Sequence, residues 1–75
     1  MYIETRGFIS VNNINTFANY LESKNISFNF NDDGCNIYFD IDTKILIDLY
    51  NNGFLSELEL SEAIKNCNVL EFYEG

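Results

Sequence analysis

The sequence predicts an α+β fold in the order β-α-β-β-α-α-β. Three observations carry that prediction. Residues 26–41 alternate apolar and polar side chains on both sides of Asp33-Gly34, as an antiparallel hairpin must. Ser56 and Glu59, flanked by Leu55 and Leu60, make a capping box with a hydrophobic staple, a specific signature of a helix start. Residues 2–11 and 69–73 alternate with a period of two, as half-buried strands do.

In chain order, the first strand sets Ile3, Thr5, Gly7, Ile9 and Val11 against Tyr2, Glu4, Arg6, Phe8 and Ser10 on the other side. Asn12 or Asn13 can cap the helix that follows by accepting from its first free N–H groups. In that helix Ile14, Phe17, Ala18 and Leu21 recur at helical spacing, and Asn15, Asn19, Glu22 and Ser23 form the wet side. Asn25 suits a left-handed stop. In the hairpin, a type I′ turn at Asp33-Gly34 puts Phe30 opposite Ile37, Phe28 opposite Phe39 and Ile26 opposite Ile41 on one face. Asn31 with Asn36, Asn29 with Tyr38 and Ser27 with Asp40 share the other. A slip of one residue would set apolar against polar throughout.

Residues 43–60 admit two readings. As a hairpin turning at Asn52-Gly53, they set Asp48 opposite Glu57 and Leu46 opposite Glu59. As two helices, they align Ile45, Leu46 and Leu49, stop at Gly53, restart at the Ser56 box and repeat Leu60, Ala63, Ile64 and Cys67. The helical reading is favoured because it uses both the cap and the staple. The last strand turns Leu70 and Phe72 inward and Val69, Glu71 and Tyr73 outward. With the helix pair counted as one broken crossover, the plan is the ferredoxin-like split βαβ. It implies a single domain over residues 1–75, with a four-stranded antiparallel sheet, strand one between strands three and four, and helices on one face only.

The chain carries a formal net charge of −8, with Arg6, Lys24, Lys44 and Lys65 facing twelve carboxylates, and it has no histidine. Histidine is the usual neutral-pH proton shuttle and the commonest metal ligand. Cys35 and Cys67 fall on apolar faces without a base, and the glycines form no phosphate-cradling loop. Asp32-Asp33 and Asp40/Asp42 could pair as acid and base, but so short a chain offers little cleft in which to bury one. Asn29, Asn31, Asp33, Gly34 and Asp40 have calcium-loop spacing, yet they sit in a strand pattern rather than between helices. The expectation is a protein that is not an enzyme and uses no metal or cofactor. Its cysteines read as buried reduced thiols. The N-terminus lacks the basic and apolar regions of a signal peptide, and no run approaches the ~20 apolar residues of a membrane span. The expected compartment is the cytoplasm.

A negative protein is repelled by nucleic acid and by anionic lipid, so basic surfaces are its natural partners. Tyr2, Phe8, Tyr38 and Tyr73 on the open sheet face could stack bases, but Glu4, Asp40 and Glu71 share that face. On a strand, Asp40 and Asp42 stand about 7 Å apart at ~3.3 Å per residue, close to the phosphate repeat of a nucleic-acid strand. Glu57, Glu59 and Glu62 add charge from the helix pair.

The chain as a whole resembles the small acidic proteins with which phages inhibit host defence, of the anti-CRISPR and anti-restriction type. That group shares no diagnostic motif, so the resemblance assigns no site residues. It implies a non-catalytic inhibitor in the host cytoplasm, whose acidic, DNA-mimicking surface occupies the groove of a nuclease or CRISPR-type complex. Asp40, Asp42, Glu57, Glu59 and Glu62 are the candidates for charge, with Phe8 and Tyr38 as apolar anchors. The alternative is a small interaction module, an immunity or adaptor protein, using the open aromatic face. A homodimer through the same face is a further possibility.

Overall fold

The computed structural model describes residues 3–31 and 34–75. The elements are β1 (Arg6–Val11), α1 (Ile14–Ser23), β2 (Asn29–Phe30), β3 (Asn36–Asp40), α2 (Thr43–Asn51), α3 (Glu57–Asn66) and β4 (Val69–Glu74). The place of Tyr2, the Asp33 half of the expected turn and the Asp32-Asp33 pair lie outside the described residues. Residues 43–60 hold two helices, so the strand reading of that segment is excluded.

Each helix starts where a side chain satisfies its free N–H groups. Asn13 Oδ1 accepts from Thr16 N at 3.1 Å, and Asp42 Oδ1 accepts from Lys44 N at 2.8 Å. Ser56 Oγ accepts from Glu59 N at 3.1 Å while Glu59 Oε1 accepts from Ser56 N at 2.9 Å, the reciprocal box. Asn25 at φ 57° and Gly53 at φ 82° turn the chain after α1 and α2 in the left-handed region.

The hairpin takes the expected register, Asn29 with Tyr38 and Phe30 with Ile37. The ladder stops there. The Ile26 N–H is spent on Leu21 O at 3.0 Å, tying it to the end of α1, and Ile26 and Phe28 pack on the core as irregular chain.

The sheet corrects the predicted topology. Its order is β1-β4-β3-β2, and β1 runs parallel to β4 while β3 runs antiparallel to both its neighbours. The sheet is therefore mixed, β4 is an inner strand between β1 and β3, and β1 lies at an edge. The cause is the helix pair. One helix between β3 and β4 would carry the chain once across the sheet and make those strands parallel. Two helices of nine and ten residues, about 14 and 15 Å long at 1.5 Å per residue, carry it across and back. The Ile41 N–H donates to Asn68 O at 3.1 Å, so β4 begins at the end where β3 finished. It must run antiparallel to β3.

Ile9, Ile37, Phe39, Leu70 and Phe72 face the helices and join Phe17, Leu21, Leu46, Leu49 and Ala63 in one core. Phe72 is its centre, with ring centroids 4.2 Å from Phe17 and 5.6 Å from Phe39. The helices cover this face alone. None is long and apolar enough to cross a membrane, among the described residues.

Candidate functional site

The uncovered face is a grid set by the strand registers. Phe8, Glu71, Tyr38 and Asn29 form one row across the strands, Ser10, Tyr73 and Asn36 a second, and Arg6, Val69 and Asp40 a third. Although it belongs to the uncovered face, Glu71 is only 5% exposed. Arg6 explains this. From edge strand β1 its side chain lies across β4, donates from Nη1 to Glu71 Oε2 at 2.9 Å and stands 4.7 Å from the centre of the Tyr38 ring. Glu71 Oε1 accepts from Asn36 Nδ2 at 2.8 Å and from Asn31 Nδ2 at 3.5 Å. Asn31 Oδ1 in turn accepts from Asn36 N at 3.2 Å. The hydrogen bond to Glu71 raises the Arg6 pKa above its ordinary value against the cost of desolvation, and Glu4, 3.5 Å from Nη2, adds to the rise. Arg6 is thus a fixed cation that roofs a buried carboxylate.

Several other carboxylates are also structural. Glu74 Oε2 accepts from Ile14 N at 3.0 Å at the start of α1. Asp42 caps α2, and Glu59 is half of the α3 box. Glu22, Asp40, Glu57 and Glu62 have exposed side chains.

The predicted partner residues divide into two groups. Phe8, Glu59 and Glu62 line one hollow of about 60 Å³ beside Gly7 and Ile9 at the β1 edge. Glu57 lies in the first turn of the same helix. Tyr38 and Asp40 line another hollow of about 280 Å³ with Ser27, Asn29 and Ile45. Asp42 follows beyond the end of β3, as the α2 cap. The apolar anchors differ: Phe8 is 63% exposed, whereas Tyr38 is half-buried under Arg6. Sequence reasoning placed Arg6 and Glu71 on one face but missed their pairing and the role of Asn31 and Asn36. The available signal was a lone carboxylate inside the apolar run Val69-Leu70-Glu71-Phe72, in phase with a lone cation on another strand.

The largest cavity described, about 410 Å³, opens between the end of β1, the start of α1 and the Gly53 turn. Asn12, Asn13, Thr16 and Asn52 line it over Phe17 and Phe54, so it presents neutral amides and hydroxyls and no charged lining residue. Cys35 is exposed, contrary to the expectation of a buried thiol, because it lies outside the two-residue β2 and the β3 strand whose alternate side chains enter the core; Cys67 is half-buried, and neither is in a disulfide. Among the described residues, no group of three or more His, Cys, Asp or Glu side chains is placed to hold a metal. The open face therefore offers one locked polar network and exposed aromatic surface, while the predicted partner carboxylates fall in two separate sets, at the end of β3 and along α3. Comparison with protein-family models, curated proteins and solved structures finds no match to this chain.

Proposed function

We propose that the protein is a non-catalytic inhibitor that binds a basic, nucleic-acid-handling protein, a nuclease or CRISPR-type complex, through an acidic, DNA-mimicking exterior. The observation that carries this reading is where the charge goes. Among the described residues both ion pairs belong to Arg6, with Glu4 and Glu71. Of the other described carboxylates, Asp42, Glu59 and Glu74 accept from backbone N–H groups at helix starts, and Glu22, Asp40, Glu57 and Glu62 stand exposed. Asp40 and Asp42 at the end of β3, and Glu57, Glu59 and Glu62 along α3, supply charge. Like charges left unpaired at a surface cost stability and find their compensation in a partner of opposite sign. The working place on this reading is the host cytoplasm.

Affinity capture with the full chain tests it. A basic nucleic-acid-binding protein should be retained at about 50 mM salt and released at about 500 mM, where exposed charges are screened within a few ångströms. Retention that ignores salt overturns the mimicry. The exposed ring of Phe8 favours a second reading, a small interaction module that docks its open face. In that case Phe8→Ala abolishes binding while charge reversals are tolerated.

A further inference from the structure

The outer edge of β1 holds backbone hydrogen-bonding groups that the sheet does not use. Among the described residues β1 pairs on one side only, with β4. Thr5 O accepts from Asn68 N and Val69 N, and Val11 O accepts from Gly75 N. Backbone groups alternate sides along a strand, so the N–H and C=O of Arg6, Phe8 and Ser10 point outward, away from β4. Edges are ordinarily blunted by lysine, proline, a bulge or short length. β1 runs for six residues in continuous register and contains neither lysine nor proline. Its one cation, Arg6, is folded inward onto Glu71. The opposite margin, β2, is only two residues long.

The two flanks of this edge differ in chemistry. On the helix side, Glu59 and Glu62 line the hollow beside Gly7 and Ile9. On the open side stand the exposed Phe8 and Ser10. An added strand turns alternate residues to these two flanks.

We propose that the β1 edge receives an extended segment of a partner protein in which basic residues alternate with apolar ones. The segment adds a strand to the sheet, its Lys or Arg side chains meeting Glu59 and Glu62 and its apolar side chains covering Phe8. Main-chain hydrogen bonds supply affinity and the flanking side chains supply choice, as in other strand-addition complexes. The inference rests on the reading that the partner is basic and states how it is held. A second copy of this chain is the less suitable occupant. Edge-to-edge pairing would bring together two chains of −8 each, and like charges across paired strands are destabilising.

The test uses the full chain and a synthetic Lys-Val repeat of about ten residues, the upper length of an ordinary strand. Its controls are a Glu-Val repeat and a peptide with the same lysines and valines in two blocks. At about 50 mM salt, where charge contacts are little screened, the alternating basic peptide binds and slows exchange of the Phe8 and Ser10 amides at least ~10-fold. The controls do neither. Ser10→Pro removes an outward N–H without costing a ladder bond, and it weakens binding, as does Glu62→Lys. Exchange on the unsubstituted chain decides the matter even where Ser10→Pro fails to fold. Salt-sensitive binding that leaves both amides unprotected overturns strand addition and leaves the acidic-surface reading standing. Failure of every basic peptide to bind overturns strand addition; the capture experiment then decides the acidic-surface reading by itself. Protection that appears without peptide and grows with protein concentration assigns the edge to a dimer and overturns the proposal.

Discussion

Arg6 and Glu71 are bonded at 2.9 Å across the open face of the sheet, sixty-five residues apart in the chain. The same guanidinium lies over Tyr38, so one side chain from β1 spans β4 and reaches β3. This solves a local problem. Glu71 stands in the middle of the inner strand β4, where a carboxylate without partners would be costly to desolvate. Arg6, Asn36 and Asn31 supply the donors that water would otherwise provide.

Replacing Glu71 by Gln keeps the shape and removes the charge. A hydrogen bond to a charged group contributes about 1.5–3 kcal/mol, and Glu71→Gln should lose stability in that range in urea denaturation. Arg6→Met should be worse, because it leaves the buried carboxylate under an apolar side chain. Combining Arg6→Met with Glu71→Leu should recover much of the loss, since a buried pair replaced as a whole is often neutral. Additive losses in the double variant would disprove the coupling.

Phe72 and Phe8 test which face holds the fold. Phe72 is fully buried between Phe17 and Phe39. Truncating a buried Phe costs about 3–5 kcal/mol, as much as a small single core supplies. Phe72→Ala should therefore be largely unfolded by circular dichroism at room temperature. Phe8→Ala should stay within about 0.5 kcal/mol of the parent.

The turn between α2 and α3 depends on two local devices. Ser56→Ala removes the acceptor for Glu59 N and should cost about 1 kcal/mol in thermal or urea unfolding. At Gly53 an added Cβ meets nothing within 4 Å, but φ is +82°. Gly53→Ala should therefore destabilise through backbone strain alone, by about 1–2 kcal/mol. A neutral Gly53→Ala would show that the turn relaxes out of the left-handed region.

Tyr20 should set an alkaline limit. Burial against Phe17 and Phe54, and secondarily the charge of Asp48, raise its pKa above the ordinary 10.0. The folded state thus holds the phenol proton more tightly than the unfolded chain does. The associated stability is complete below pH 10.0 and is lost as pH rises through the folded value. Ultraviolet titration should show Tyr20 as a late-ionising phase, and Tyr20→Phe should remove that phase and flatten the alkaline fall in stability.

The parts of this molecule legible in the sequence are those written within a few residues. The α3 box needs only Ser56 and Glu59, and the hairpin register follows from alternation on either side of one turn. The acidic excess is equally plain, but its distribution is not. Asp42, Glu59 and Glu74 carry the same charge whether they cap helices or face a partner, and only the backbone around them assigns the difference. Phe8 and Tyr38 likewise look equivalent in sequence, yet Arg6 covers one and leaves the other open.

By itself the sequence pointed to the kinds of element, the Ser56 cap of α3 and the side of each strand that enters the core, because capping and burial act over one turn of helix or two residues of strand. The strand order and the fate of Glu71 were decided only in three dimensions. The helix pair returns β4 to the end of the sheet where β3 finished, which makes β4 antiparallel to β3 and leaves β1 at the edge. Arg6 can then reach across β4 to the central carboxylate. Neither result follows from any local pattern, since both depend on residues brought together by the path of the whole chain.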